Sequence, residues 1–424
     1  MKSSRLSELI RRTVPAPVER DVPPSGTTPP RCRSTPQRPP LRNVSPCIAG
    51  HRSVRPTRPV RRPPARRTPS RREPPVSATD PAPAIPAPHG SARVHEPRRP
   101  DCPWCGSVRL RNRLRTGDLR RHRPGLFTVD ECRDCGHTFQ NPRLTAEGLA
   151  FYRRAVRGAP RDPATERVLA LHAARHRRRG AARAMLAFGE PESWLDVGTG
   201  LARFPLTARE FFPYTSFDGT DLTARVERAR ALGRVEEAHI GPLTDPRVMA
   251  GLAGRYDVVS LLYHLEHTTD PRAELHAALD ALRPGGHLLV ETLDPRCAFA
   301  ALFGRWWLPY DQPRRLHLLP PRNLRAELEG RGCALVTAGR RAAHVPHDLA
   351  GLTALALSHA LPAPDTPWRA IPPAPFQRHL RTVLLRAGTP LVVAAAVTDL
   401  ALAPLLRHTP FANAYRIIAR KPKG

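Results

Sequence analysis

Residues 193–341 predict an α/β fold, a parallel sheet covered by helices on both faces. Short apolar runs alternate there with helical patterns, as such a sheet requires. The runs are "SWLDV" (193–197), "SFDGTD" (216–221), "RYDVVSLL" (255–262), "GHLLVETL" (286–293) and "CALVTAG" (333–339). A glycine turn, "DVGTG" (196–200), follows the first run directly, and a proline–glycine turn, "LRPGG" (282–286), precedes the fourth.

The helical patterns between the strands are "LARFPLTAREFF" (201–212), "TARVERARAL" (223–232) and "DPRAELHAALDAL" (270–282). A further one, "ATERVLALHAARHRRRGAARAML" (164–186), leads into the first strand. Residues 346–410 read as mainly helical, and "NAYRIIARK" (413–421) closes the sheet as a last strand.

The first hundred residues differ in kind. They hold 23 prolines, 21 basic residues, six acids and no Phe, Trp or Tyr. Too little apolar surface is available there to offset ordering, so disorder is expected. Without aromatics the segment offers no platform for stacking bases, and only a diffuse grip on phosphate is open to it. The whole chain carries a formal charge of +31, with 68 Lys plus Arg against 37 Asp plus Glu. Polyanions are therefore natural partners, whether nucleic acid or an anionic membrane surface.

The opening "MKSSRLSELIRR" has no apolar core of signal-peptide length. The most apolar stretch, "AGTPLVVAAAVT" (387–398), is bounded by Arg386 and Asp399 and falls short of the ~20 residues a bilayer span takes. A cytoplasmic protein with reduced thiols is the expectation.

Four of the eight cysteines form two C-x-x-C pairs, Cys102/Cys105 and Cys132/Cys135. Matched pairs at this separation follow the spacing of a zinc site, and Gly106 and Gly136 supply the knuckle turns. Four thiolates leave no open coordination position, so the zinc would be structural. Residues 101–145 thus read as a zinc-ribbon-like module, with His137 as a bystander.

In the turn after the first strand, glycines at 198 and 200 let a ligand approach the backbone. A dinucleotide fingerprint needs a third glycine where Arg203 stands, and no Gly-Lys-Ser/Thr marks a P-loop. Asp221 ends the second strand, where a carboxylate can accept hydrogen bonds from ribose hydroxyls. His264, Glu266 and His267 follow "RYDVVSLL" at the carboxyl edge, where open α/β sheets bind ligands.

"CPWCGS", "CRDCGHTFQNPR", "LDVGTG", "YHLEHTTDPRAEL", "LRPGGHLL", "GRWWLPYDQPRRLHLLPPRNL" and "NAYRIIARK" occur in this order. The arrangement resembles the class I S-adenosylmethionine-dependent methyltransferases, and more closely bacterial members with an N-terminal zinc ribbon. The resemblance covers residues 101–424. It implies a doubly wound, seven-stranded Rossmann-like sheet: a core over 146–345, then a helical cap and final strand over 346–424.

It also implies roles. Gly198, Thr199 and Gly200 would pass under the methionine moiety of S-adenosylmethionine, with Asp196 organising the loop and the cofactor's amino group. Asp221 would hold the ribose and Leu222 would lie against the adenine. The family's third alternate glycine is here Ala202.

Methyl transfer from a sulfonium needs alignment above all. An oxygen or nitrogen acceptor also needs a base near neutral pKa, and His264 and His317 are the candidates; for His267 a structural role is the better reading. A small-molecule, glycan- or lipid-linked acceptor is the leading expectation, and the apolar C-terminal helices would suit peripheral membrane contact. A nucleic-acid methyltransferase is the alternative, although "LLYH" stands where base-amino methyltransferases carry an Asn/Asp-Pro-Pro-aromatic tetrad. A non-catalytic scaffold on the same fold is the third reading.

Overall fold

The computed structural model describes residues 94–153, 175–366, 368–369 and 371–423. The chain divides into two units, Met1–Ala78 and Thr79–Gly424. The disorder expected for residues 1–100 falls, up to residue 93, outside the described residues, as does the first half of the helix expected over 164–186. Residues 175–185 of that helix are helical.

Two sheets organise the second unit. The larger holds seven strands: β4 (Ser193–Val197), β5 (Ser216–Asp221), β6 (Ala238–Ile240), β7 (Tyr256–Leu262), β8 (Leu282–Leu293), β10 (Ala334–Gly339) and β11 (Ala414–Arg420). Their spatial order is β10-β11-β8-β7-β4-β5-β6. β4 pairs in parallel with β5 and β7, as do β5 with β6 and β7 with β8, whereas β11 runs antiparallel to both its neighbours. This is the doubly wound sheet that the sequence predicts.

The strands form where the apolar runs lie because both faces of the sheet are covered. Trp194, Leu195, Phe217, Val259, Leu261, Leu288 and Val290 are fully or almost fully buried. Helix Pro271–Ala281 starts at "TDP" because the Asp270 carboxylate caps it, accepting from the Arg272 and Ala273 backbone N–H groups, with Pro271 in the first turn. The expected turn at "LRPGG" lies within β8, where the register against β7 jumps from Tyr256↔Leu282 to Val258↔His287.

The smaller sheet has order β1-β2-β3-β9, from β1 (Leu110–Thr116), β2 (Phe127–Cys132), β3 (Thr138–Gln140) and β9 (His317–Leu318). The cysteine module therefore takes its fourth strand from the core sequence. Its ordered packing also begins before residue 101. Val94 is buried with Phe127, Leu144 and Tyr152, and Arg98 donates to Asp130 (2.6 Å). One buried apolar side chain, the Arg98–Asp130 and Glu96–Arg143 ion pairs and hydrogen bonds between Arg99 and Asn141 hold a segment whose composition alone reads as tail.

A buried triad ties the segment entering β9 to the end of β1. Arg314, just before β9, pairs with Asp118 after β1 (2.8 Å) and with Asp311 (2.5 Å). Burial alone would raise the Asp311 carboxyl, but the charges of Arg314 and Arg120 override it and hold it well below the usual carboxylate range. We expect Arg314→Ala to lower unfolding free energy by about 3–5 kcal/mol, because two buried carboxylates lose their partner. A carboxylate with a depressed folded pKa stabilises fully above its unfolded value, near 4, and loses that contribution as the pH falls further. Urea titrations at pH 7 and pH 3 should therefore show the gap between wild type and variant narrowing in acid.

Candidate functional site

The carboxyl edge of the parallel strands opens into a cleft of about 440 Å³, bordered by Asp196, Gly198, Thr199, Arg177, Tyr263 and Glu291. Three alternate positions of the loop after β4 are left-handed: Gly198 (φ 70°), Gly200 (φ 59°) and Ala202 (φ 50°). The third is the place where the sequence lacks a glycine. Ala202 keeps the same turn at the steric cost of a Cβ there, of order 1–2 kcal/mol.

Asp221 faces the loop across the β4–β5 pair. Its Oδ2 accepts from the Gly200 N–H (3.0 Å), and its Oδ1 accepts from the backbone N–H (2.9 Å) and hydroxyl (2.6 Å) of Thr223. Leu222 follows at the strand tip, 48% exposed.

Asp196 is buried beneath the loop. Its Oδ1 accepts from the Ser260 hydroxyl (2.7 Å), which itself accepts from the Trp194 indole N–H (3.0 Å). Burial pushes the Asp196 carboxyl up to about 6, against the lowering effect of the Ser260 hydrogen bond. Its charge is therefore held at a cost, in a place where a cationic group of a ligand would relieve it.

His264 supports the loop from below. Its Nε2 lies 2.9 Å from Glu274 Oε1. Its Nδ1 side meets the Gly198 backbone so closely that a Cβ at 198 would collide with the ring. His267 pairs its Nδ1 with the Arg314 carbonyl (2.8 Å), and burial lowers it to about 4.

His317 lies elsewhere. It sits in β9 opposite Phe139, its Nδ1 3.1 Å from His137 Nε2 and its Nε2 3.3 Å from the Thr269 carbonyl. Burial lowers it to about 4, and it does not border the cleft. Pairing with the cysteine module draws the "RRLHLL" segment away from the ligand edge.

Arg177, Tyr263 and Glu291 are among the cleft residues that sequence reasoning missed. The Arg177 guanidinium stacks 4.2 Å from the Tyr263 ring centre, and Tyr263 itself is left-handed (φ 54°). Glu291 is buried in β8; its Oε1 accepts from Arg416 Nε (2.6 Å), while its Oε2 has no partner. Burial raises its carboxyl. A signal existed: "HLLVETL" and "NAYRIIA" each carry one charge of opposite sign in an apolar strand, and the register pairs Arg416 with Glu291.

The four paired cysteines converge in the smaller sheet. Their Sγ atoms lie within 4.8 Å of one another, with Cys102–Cys135 and Cys105–Cys132 both at 3.6 Å. Four sulfurs tetrahedrally placed around an ion at ~2.3 Å would stand at much this separation. The Trp104 N–H donates to Cys102 Sγ (3.4 Å), and His137 Nδ1 lies 3.6 Å from the same sulfur.

Residues 172–338 match the family described as a methyltransferase domain. The ubiquinone biosynthesis O-methyltransferase of Caulobacter vibrioides is 31% identical over 170 residues, 38% of this chain and 66% of that protein. Its counterpart in Alkalilimnicola ehrlichii is 31% identical over 128 residues, 29% of this chain and 51% of that protein. The chain thus spans between about half and two thirds of the length of these relatives. The plantazolicin methyltransferase BamL, solved with a triazolic desmethylPZN analog and SAH, is 13% identical with TM-score 0.38, over 61% of this chain and 90% of that one.

Because burial penalises the Asp196 carboxylate only when it is ionised, Asp196→Asn should stabilise the protein at pH 7.5 by about 2–3 kcal/mol. The sign follows from a folded pKa above the unfolded one: the penalty is full above about 6 and gone below about 4. Thermal unfolding of both proteins across that range should show the gain vanish in acid.

Proposed function

We propose that this chain, whose residues 172–338 match a methyltransferase domain, transfers a methyl group from S-adenosylmethionine to a small, lipophilic acceptor oxygen. The observation that carries the reading is the left-handed loop at 198–202 facing the Asp221 carboxylate at the carboxyl edge of the sheet. The acceptor class rests on the relatives, which are ubiquinone biosynthesis O-methyltransferases.

When bound, S-adenosylmethionine supplies an electrophilic methyl group on a sulfonium. The loop residues Gly198, Thr199 and Gly200 would hold its methionine end. Asp196 beneath them would carry the countercharge for its amino group. Asp221, already accepting hydrogen bonds, would take the ribose hydroxyls, and the exposed Leu222 would cover the adenine.

For the acceptor proton we assign Glu291. The residue borders the cleft, its Oε2 is buried without a hydrogen-bond partner, and burial has made the carboxyl more basic. His264 then acts as a positioning residue, holding Gly198 through ring contact and Glu274 through Nε2. Arg177 and Tyr263 would wall the acceptor side.

Calorimetric titration with S-adenosylhomocysteine tests the cofactor site. Wild type should bind in the micromolar range and Asp221→Ala at least tenfold more weakly. Glu291→Gln should retain that binding, at a cost in stability because Arg416 loses its countercharge, while losing about 10²-fold or more in turnover. Absence of binding by folded wild type would return the chain to the scaffold reading.

We further propose one structural Zn²⁺ on Cys102, Cys105, Cys132 and Cys135. The Trp104 N–H, and His137 through its Nδ1, fit as outer partners of the Cys102 thiolate. Elemental analysis should find one zinc per chain, and Cys132→Ser should lose it together with several degrees of thermal stability.

A further inference from the structure

A helix of 32 residues, Pro375–Leu406, runs through Pro390 and Pro404 without interruption. By length and composition it is apolar enough to cross a membrane, yet little of it is buried in the protein. Asp399 lies inside this helix rather than at its end. Only 2% exposed, it points inward and accepts from the backbone N–H groups of Leu349 (3.1 Å) and Ala350 (2.9 Å). The outer surface from residue 387 to 406 therefore carries no charge at all, and Arg386 and Arg407 bracket it. Leu391 (61% exposed), Val397 (58%) and Leu405 (65%) stand out from it. Twenty helical residues make a strip about 30 Å long.

The helix is clamped lengthwise. Near its start Arg381 donates to the Ser358 and Pro362 carbonyls, and near its end Asp399 holds the 348–360 helix. Both anchors sit on one face, so the helix lies along the protein and presents the opposite face outward.

At the C-terminal end of this strip opens a second groove, of about 800 Å³. Arg325, Arg341, Arg407 and His408 border it, and Glu329 is the one acid among its lining residues. Arg341 and Arg407 both crowd the His408 imidazole, their Nε atoms at 2.6 and 3.2 Å from its two nitrogens. Among the described residues, neither of these arginines nor Arg325 has a carboxylate partner. Cationic groups packed this way call for an external anion.

We propose that the helix Pro375–Leu406 and this cationic groove form one docking site for an anionic phospholipid surface. The helix lies in the plane of the interface with Leu391, Val397 and Leu405 among the acyl chains, and headgroup phosphates occupy the groove. A nucleic acid would use the arginines and leave the apolar strip in water. A second copy of this chain would cover the strip and leave the arginines without an anion. An anionic bilayer surface satisfies both features at once. The inference does not rest on methyl transfer, since neither the strip nor the groove contains a residue of the cofactor cleft.

The test is flotation of the full chain with vesicles of phosphatidylcholine alone or mixed with phosphatidylglycerol. We expect binding to the mixed vesicles at least tenfold above that to neutral ones, weakening with added salt. Leu391→Glu with Val397→Glu should reduce it about tenfold or more, and so should Arg341→Ala with Arg407→Ala. Both pairs are solvent-facing, and S-adenosylhomocysteine binding or an unchanged melting curve confirms that the variants fold. Equal binding to neutral and anionic vesicles, or none to either, overturns the proposal. So does a wild-type dimer in light scattering that the Leu391/Val397 variant dissolves without any vesicle binding. Capture of an RNA oligonucleotide in preference to the mixed vesicles overturns it as well.

Discussion

The insertion of one antiparallel strand decides where everything else can be. β11 runs between β8 and β10, opposite in direction to both, with an unbroken register against β8 from Ala414↔Leu293 to Arg420↔His287. β10 must then end, and β11 must begin, at the carboxyl edge of the sheet. Residues 340–413 leave from that edge and return to it. The C-terminal helices are therefore fixed to the functional side of the molecule by connectivity alone. The Arg416–Glu291 pair locks this arrangement in the sheet interior, where removing either partner would strand a buried charge.

The same edge receives the cysteine module. β9 lies in the segment between the sheet's fifth strand, β8, and the helix Pro321–Gly330. It adds to β3 rather than to the large sheet, and the Arg314 triad fixes it there. The small sheet is thus built from two distant parts of the sequence. A metal that stabilises the cysteine knuckles would also stabilise the segment carrying Tyr310, Gln312 and Arg314, which touch the module directly. Folding of the ribbon and completion of the core are coupled by construction.

Much of this was legible in the sequence where burial is two-sided. β4, β5, β7, β8 and β11 coincide with apolar runs that are buried, and β10 coincides with one although it is largely exposed. The loop at 196–200 is marked by its glycines, and the knuckles are marked by cysteine spacing. What escaped was held by single contacts rather than by pattern. β6 is three residues long and only partly buried, so "AHI" carries no periodic signal. β9 is two residues long, and its pairing with β3 moved His317 away from the cleft. Arg386 and Asp399 looked like the boundaries of a short apolar run. In the structure the acid turns inward to backbone donors and the helix continues past it. Local composition cannot reveal which way a lone charge faces.

The carboxyl edge of the sheet carries several local costs. Ala202 occupies a conformation that favours glycine, Tyr263 does the same, Asp196 is ionised against its burial, and Glu291 keeps one oxygen without a partner. Asp196, Tyr263 and Glu291 border one cleft, and Ala202 lies in the loop beside it. Strain and unpaired polarity persist only where surrounding structure over-determines them. A cationic ligand group above Asp196 and a hydroxyl against Glu291 would each convert such a cost into binding energy. Under the proposed function these local costs fit a ligand with a positive centre beside the loop and an acceptor proton beside β8.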